Sequence, residues 1–244
     1  KGNLKKIILL SKNNNIKKDF NKICFYYNIR DLEKIITDIK KENIQDIIIV
    51  GYVDLPPINE IKLSLKSKII LSKDFFLNNI NQQSLILKRF LNNKNINLLS
   101  QKKIFKSLLI NRNDQLIKKD HKSIIIKILN NLQYIKKIFN LNLAQSFIMN
   151  GSRVLAIEDF NGTNNLINRV DSNKSNYSEL VLIKSKKKDQ IDEIDFPVIG
   201  SETTDLLLAK KFKVICLFNN QSIVVNKSFF LKKIKNSSIS LLVI

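Results

Sequence analysis

The chain has 244 residues, 44% of them hydrophobic, which suits one large domain or two small ones with a buried core. Its 42 basic and 21 acidic residues give a formal net charge of +21, which suits an anionic partner: a nucleic acid, a phosphorylated substrate or an acidic membrane surface. The alternative explanation of this charge is a compositional bias toward Lys, Asn and Ile. We favour it because few of the basic residues are Arg, the side chain suited to bidentate phosphate and base recognition.

The two distant cysteines, Cys24 and Cys216, exclude a disulfide framework and fit a reducing compartment.

Membrane and export signals are absent from the sequence pattern. No stretch approaches the roughly 20 apolar residues that a transmembrane helix needs, and the first residues do not resemble a signal peptide. We therefore expect a cytoplasmic protein, although a chain that begins at Lys1 does not establish the true start.

The N-terminal part predicts a Rossmann-like α/β domain. Residues 6–10 and 46–50 predict buried strands, and residues 31–42 predict an amphipathic helix between them. The order strand, helix, strand is typical of an α/β layer. The Asn-rich residues 92–97 predict a linker, so we expect one domain over residues 1–94 and a second over residues 95–244.

The C-terminal part predicts an α/β domain with a mixed sheet. One long helix is expected over residues 121–139, and Asn150–Gly151 is typical of a hairpin turn between two strands. After this hairpin, Asn161–Gly162–Thr163 leads into a short helix that we expect to end near Val170. The remaining predicted elements, in chain order, are a strand 179–183, a polar loop 184–195, a helix 201–211, a hairpin of 214–217 with 222–225, a helix 227–235 and a strand 240–243.

Candidate chemistry is limited by the single histidine. His121 lies beside charged residues at a helix start, which favours a solvated side chain over a catalytic base, so we do not expect a Ser/His/Asp triad; a single histidine also excludes an HExxH site. Hydrolysis would therefore require carboxylates, a metal ion and water. Asp195, held in a loop before Pro197, is one candidate; a solvated loop that offsets neighbouring lysines is the alternative that local sequence favours. Glu158, with the turn at Gly162 and Thr163, is another; an ordinary capped helix start is the simpler explanation.

Two C-terminal stretches resemble the LpxI family. The run Val154-Leu-Ala-Ile-Glu158, followed by Gly162-Thr163 and Arg169-Val170, resembles V-L-A-V-E, E-G-T-D and R-V, and Gln145 precedes Glu158 by the family's interval. The run Gln190…Asp195-Phe-Pro197-Val-Ile-Gly200…Thr203 is similar to Q-x-x-R-x-D-x-P-x-x-G-x-x-T. A weaker likeness to G-x-V-x-R-P is found at Gly51-x-Val53-x-x-Pro56. Several motifs in one order make the resemblance specific.

The resemblance implies a function. The LpxI family implies Mg²⁺-dependent hydrolysis of the pyrophosphate bond of UDP-2,3-diacylglucosamine to UMP and 2,3-diacylglucosamine 1-phosphate (lipid X), in lipid A and lipopolysaccharide biosynthesis. It implies a catalytic Asp195, a magnesium ion held by Asp195 with Glu158, and substrate-binding residues that we list as Gln145, Glu158, Gly162, Thr163, Gln190, Gly200 and Thr203. It also implies two domains, peripheral attachment to the cytoplasmic face of the inner membrane and no nucleic-acid partner, and it leaves a homodimer open.

Several positions depart from the family pattern. The Gly-rich loop after the first strand reads Ser11-Lys-Asn-Asn-Asn15, and Glu193 stands where the family has Arg. The remaining departures are Leu55, Asn161, Asn164 and the pair Gln82-Gln83. Two alternatives therefore remain: a weakened homologue that binds nucleotide-sugar lipid without turnover, and a basic nucleic-acid-binding protein.

Overall fold

A computed structural model describes residues 7–11, 24–51, 60–64, 67, 80–170 and 177–244. It contains two compact units. The first comprises Lys1–Leu99 with Glu193–Asp195, and the second comprises Ser100–Asp192 with Phe196–Ile244. The two-domain α/β fold class is confirmed. The predicted domain boundary at residues 94 and 95 remains a prediction.

The described part of the first unit contains two parallel strand pairs. Strand β1 (Ile7–Ser11) pairs with β2 (Cys24–Asn28), and β3 (Asp46–Ile47) pairs with β4 (Asn97–Leu98). The predicted strand 46–50 is therefore shorter than expected, because its partner β4 is itself only two residues long.

Two longer α-helices lie in the described residues of the first unit: α1 (Leu32–Lys41) and α2 (Ile80–Asn93). The first confirms the predicted helix and buries the apolar stripe Ile35, Ile36 and Ile39. The expected linker at residues 92–97 is instead a tight connection, in which Asn95 adopts a left-handed conformation between α2 and β4.

The second unit is built on a mixed five-stranded sheet in the order β11-β9-β7-β5-β6. Its strands β7 (Leu180–Lys184), β9 (Val214–Leu217) and β11 (Ser240–Val243) are parallel. Strand β5 (Ser146–Asn150) runs antiparallel to β7 and to β6 (Arg153–Ile157), which confirms the hairpin predicted at Asn150–Gly151.

The other predicted hairpin, 214–217 with 222–225, is wrong. Both edges of β9 are already paired, with β7 and with β11. Strand β10 (Ile223–Val224) therefore pairs with β8 (Val198–Ile199) in a separate two-stranded parallel sheet.

Helices cover both faces of the five-stranded sheet. One face packs against α4 (Lys122–Asn130) and α5 (Leu132–Asn140), and the other packs against α6 (Gly162–Arg169), α7 (Ser201–Ala209) and α8 (Lys227–Lys235). A short helix, α3 (Gln101–Ile104), precedes them. Side chains on successive strand residues point to opposite faces, so Leu180 and Leu182 pack on the α6 side while Val181 and Ile183 pack on the α4 side.

Two helix predictions need correction. The helix expected over 121–139 is broken at Asn131, whose side-chain amide donates to the carbonyl of Lys127, so α4 ends there and α5 begins. The helix expected over 201–211 ends at Ala209, because Lys211 adopts a left-handed conformation.

Candidate functional site

A buried lysine ends the central strand β7. Lys184 continues the alternation that places Leu180 and Leu182 on the α6 side of the sheet, and its side chain is 3% exposed. Strand pairing sets it opposite Ser146, the first residue of β5. A buried ammonium is costly unless it is paired and hydrogen-bonded. The groups around Lys184 therefore have to compensate its charge.

Four polar side chains meet at this position. Lys184 Nζ donates to Thr163 Oγ1 at 2.7 Å and to Ser146 Oγ at 3.1 Å. The hydroxyl of Thr163 donates to Glu158 Oε1 at 2.6 Å, and that of Ser146 donates to Glu158 Oε2 at 2.9 Å. Each hydroxyl has one proton and two acceptor lone pairs, so each accepts from the lysine and donates to the carboxylate. We call these four residues the Lys184 cluster.

The Lys184 cluster also contains an ion pair. Lys184 Nζ lies 4.0 Å from Glu158 Oε1, and the Glu158 side chain is only 11% exposed. Charge compensation and hydrogen bonds together satisfy the buried cation. The cluster therefore fixes the start of β5, the residue after β6 and the first turn of α6 relative to one another.

The turn that leads from β6 into α6 is anchored by Asp159. Its carboxylate accepts from the backbone N–H of Asn161 at 2.9 Å and from Arg169 at 2.7 Å. That backbone N–H and, after it, the charge of Arg169 hold the pKa of Asp159 below its usual value. A partly buried carboxylate therefore stabilises the loop geometry.

The N-terminus of α6 is open. Gly162 has a φ of +83°, and no atom lies within 4 Å of where its Cβ would be. No side chain caps this helix end. Backbone N–H groups at a helix start carry partial positive charge and bind anions, and the ammonium of Lys184 is held against Thr163 in the same turn. The arrangement is suited to an anionic group.

Other predicted site residues have structural partners in the second unit. The side chain of Thr203 donates to Asn164 at 2.7 Å and joins α7 to α6, while the carbonyl of Gly200 accepts from Thr204 at the start of α7. Gln190 is buried, and its side-chain oxygen accepts from the backbone of Lys187 at 3.1 Å.

Gln145 lies just before β5, and its carbonyl accepts from the backbone N–H of Ser185 at 2.9 Å. The structure thus places Gln145 beside the strand ends that carry the Lys184 cluster. The binding roles predicted for Gln145, Gln190, Gly200 and Thr203 stay predictions.

Asp195 belongs to a different compact unit from the Lys184 cluster. Its segment, Glu193–Asp195, groups with the first unit, and its φ of +55° is left-handed. Glu193, which replaces a family Arg, is paired with Lys88 of the same unit at 3.0 Å. The structure therefore brings Glu158 and Thr163 into one cluster, and it assigns Asp195 to the other unit.

The magnesium prediction has limited support in these residues. Within the described ranges, no group of three or more His, Cys, Asp or Glu side chains could hold a metal ion. Both oxygens of Glu158 accept hydroxyl protons, and one lies near an ammonium, which favours a pairing role for this carboxylate. Mg²⁺ is commonly held by one or two carboxylates together with substrate phosphates, so the metal roles of Asp195 and Glu158 stay predictions.

Some sequence predictions fall outside the described residues. These are the loop residues Lys12 to Asn15 and the motif positions Val53, Leu55 and Pro56. The side chains of Cys24, Gln82 and Gln83 are likewise not described.

His121 was misjudged from its charged neighbours. It is 8% exposed, and its Nδ1 lies 2.9 Å from Ser240 Oγ. The solvated histidine expected from the sequence is therefore wrong, because the start of α4 packs against β11.

The family relationship covers nearly the whole chain. A model of the LpxI N-terminal domain matches residues 1–108, and a model of the LpxI C-terminal domain matches residues 113–242. The chain belongs to the LpxI family. No curated protein matches it significantly. LpxI membership points to lipid A biosynthesis and to a hydrolase that acts on UDP-diacylglucosamine. No helix in the described part of this LpxI-family chain has the length and hydropathy to cross a membrane.

The family match corrects the functional prediction. Hydrolysis of UDP-2,3-diacylglucosamine to UMP and lipid X, predicted as this chain's own reaction, is wrong as an assignment: the two matches identify LpxI domains and name no specific reaction. The roles predicted for Asp195 and Glu158 in that reaction stay predictions. The matches support neither alternative, a weakened homologue or a nucleic-acid-binding protein.

Proposed function

We propose that this LpxI-family chain is a hydrolase whose second unit binds the phosphate-bearing part of a UDP-diacylglucosamine ligand at the start of α6. The observation that carries the proposal is the open, uncapped turn at Gly162, next to a buried ammonium. Both features favour an anion. The bond that is cleaved and the products are to be identified by experiment.

The Lys184 cluster supports this proposal through electrostatics. The charges of Lys184 and Arg169 are balanced by Glu158 and Asp159, so the end of the α6 dipole supplies the positive potential at the turn. A diphosphate would therefore meet neutralised carboxylates and the backbone N–H groups of the first turn of α6. Preorganised donors of this kind also stabilise charge that develops in a transition state.

Magnesium dependence is a separate part of the proposal. A diphosphate carries charge that a divalent cation offsets, and hard oxygen ligands suit Mg²⁺. Asp195 is the candidate protein ligand for this ion. Dialysis against a chelator followed by Mg²⁺ titration tests this, and activity that is independent of added metal would contradict it.

Peripheral attachment to the cytoplasmic face of the inner membrane is also part of the proposal. A ligand with two acyl chains resides in a membrane, and a net charge of +21 favours approach to anionic lipid. Cosedimentation with anionic and with neutral vesicles, at low and high salt, tests this attachment. Equal binding to both vesicle types would contradict it.

The decisive experiment compares two glycines. Gly162 and Gly151 both have positive φ, but only Gly162 lies at the proposed turn. We expect Gly162→Ala to weaken binding of a short-acyl UDP-diacylglucosamine about fivefold or more, because an added Cβ disfavours this backbone conformation. Gly151→Ala is the matched control and should leave affinity unchanged. Calorimetry gives the affinities, and mass spectrometry of the reaction mixture identifies any products. Equal affinities in the two variants would exclude the turn as the binding site.

A further inference from the structure

An apolar groove opens between α4, α5 and the ends of β9 and β11. Its volume is about 780 Å³, within the range of small-molecule sites. Ile126 and Leu129 of α4 line it and are 57% and 45% exposed, and Phe218 and Leu242 form part of its wall. Every lining residue belongs to the second unit. Exposed apolar surface of this kind marks a binding site more often than scattered single residues do.

The charged side chains that line the groove have one sign. Arg112, Lys122 and Lys136 contribute to it, and no Asp or Glu side chain does. Across the described part of the chain, none of these three cations forms a salt bridge, whereas other lysines such as Lys127 and Lys227 do. Three basic side chains that form no salt bridge therefore lie beside an aliphatic surface in the described structure. This combination suits a ligand with an apolar chain and an anionic head.

The combination of basic and aliphatic side chains in the groove argues against three other possible ligands. A second copy of the chain, paired through the same face, would bring these cations against their own counterparts, and like charges at an interface are unfavourable. A nucleic acid would satisfy the cations and leave the aliphatic wall exposed to water. A neutral lipid chain would leave the cations without partners.

We propose that this groove binds a single long-chain fatty acid, with the alkyl chain along Ile126, Leu129 and Phe218 and the carboxylate held by Arg112, Lys122 and Lys136. The proposal does not depend on the proposed hydrolase activity, and its test uses no nucleotide lipid.

A series of three ligands tests separately whether the groove binds the alkyl chain and whether it binds the carboxylate. Tetradecanoate, tetradecanol and a tetradecyl trimethylammonium salt are titrated as monomers against the full chain, with calorimetry as the readout. We expect saturable binding at one site for tetradecanoate, at least about tenfold weaker binding for the alcohol, and none for the cationic amphiphile. Equal binding of all three would overturn the charge assignment, and no saturable binding of tetradecanoate would overturn the site.

Paired variants locate the site on the surface. Leu129→Asp introduces a carboxylate into the groove, and Leu143→Asp introduces one at a 67% exposed leucine that does not line it. Lys136→Gln and Lys137→Gln form a second pair, because only Lys136 lines the groove. We expect Leu129→Asp to weaken tetradecanoate binding more than about tenfold and Lys136→Gln about three- to fivefold, the range of one partly exposed ion pair. Circular dichroism checks that each variant is folded, and losses of equal size in the control variants would refute the site.

Discussion

The hydroxyl of Thr163 bridges Lys184 and Glu158: it accepts from the lysine at 2.7 Å and donates to the carboxylate at 2.6 Å. The hydroxyl of Ser146 bridges the same two side chains: it accepts from Lys184 and donates to Glu158. Through these contacts, one buried lysine connects the sheet to the turn proposed as the anion site. The stability of the second unit and its binding of an anion should therefore depend on the same residue.

Replacing Lys184 with methionine should destabilise the second unit by about 3 kcal/mol, because the substitution leaves Glu158 without its cation in a site that is almost closed to water. Urea unfolding measures this change in the free energy of unfolding. Affinity for a short-acyl UDP-diacylglucosamine should fall as well, since Glu158 would then place an uncompensated negative charge beside the turn.

The double variant Lys184→Met/Glu158→Gln tests whether the two residues act as a pair. It should recover part of the stability lost in Lys184→Met, because the uncompensated carboxylate is gone. Lys127→Met is the matched control: Lys127 is paired with Glu179 on a half-exposed surface, so it should cost less than about 1 kcal/mol. Additive effects of Lys184→Met and Glu158→Gln would refute the coupling.

The core of the second unit depends on aromatic packing across the sheet. Phe147 of β5 is fully buried, and its ring centroid lies 5.3 Å from that of Phe139. Phe147→Ala should cost about 3–5 kcal/mol in chemical denaturation, from lost burial and an unfilled cavity. Phe160 is 85% exposed, so Phe160→Ala should change stability by no more than about 0.5 kcal/mol. Similar losses in both variants would contradict this assignment of the core.

Cys216 should be chemically inert in the folded protein. It is fully buried in β9, and burial raises the pKa of its thiol well above the usual value. Because the thiolate is the reactive form, a Cys24→Ser variant should react with a thiol reagent only after denaturant is added. Rapid labelling of the native variant would show that β9 is accessible.

Local patterns predicted much of the fold. The stripe of α1, the Asn-Gly hairpin and the ends of α8 and β11 follow from periodicity and turn chemistry over a few neighbouring residues. The pairing of β10 with β8 rather than β9 was missed, because it depends on which sheet edges are already occupied, a non-local property. The helix break at Asn131 was missed because the apolar stripe continues across it.

The candidate site was predicted in part for the same reason. Glu158, Gly162 and Thr163 were found because they lie in one short run. Lys184 and Ser146 were missed, since they join that run only through strand pairing. A signal was present in the sequence: a lysine directly follows the apolar run Leu180-Val-Leu-Ile183, where a solvated side chain is not expected.

The pH dependence of stability should report on His121, the chain's single histidine. Burial, followed by repulsion from Lys213 and Lys118 against attraction from Asp120, lowers its pKa from the usual 6.5. The unfolded chain therefore takes up this proton at higher pH than the folded chain, so the contribution is complete above pH 6.5 and is lost as pH falls toward the folded pKa. Urea unfolding at about pH 8 and about pH 5 should show a smaller loss for His121→Asn than for the unmodified chain. Ser240→Ala, which removes the hydroxyl 2.9 Å from the imidazole, should instead lower stability at both pH values. An equal loss between the two pH values in His121→Asn and the unmodified chain would show that another group controls the acid sensitivity.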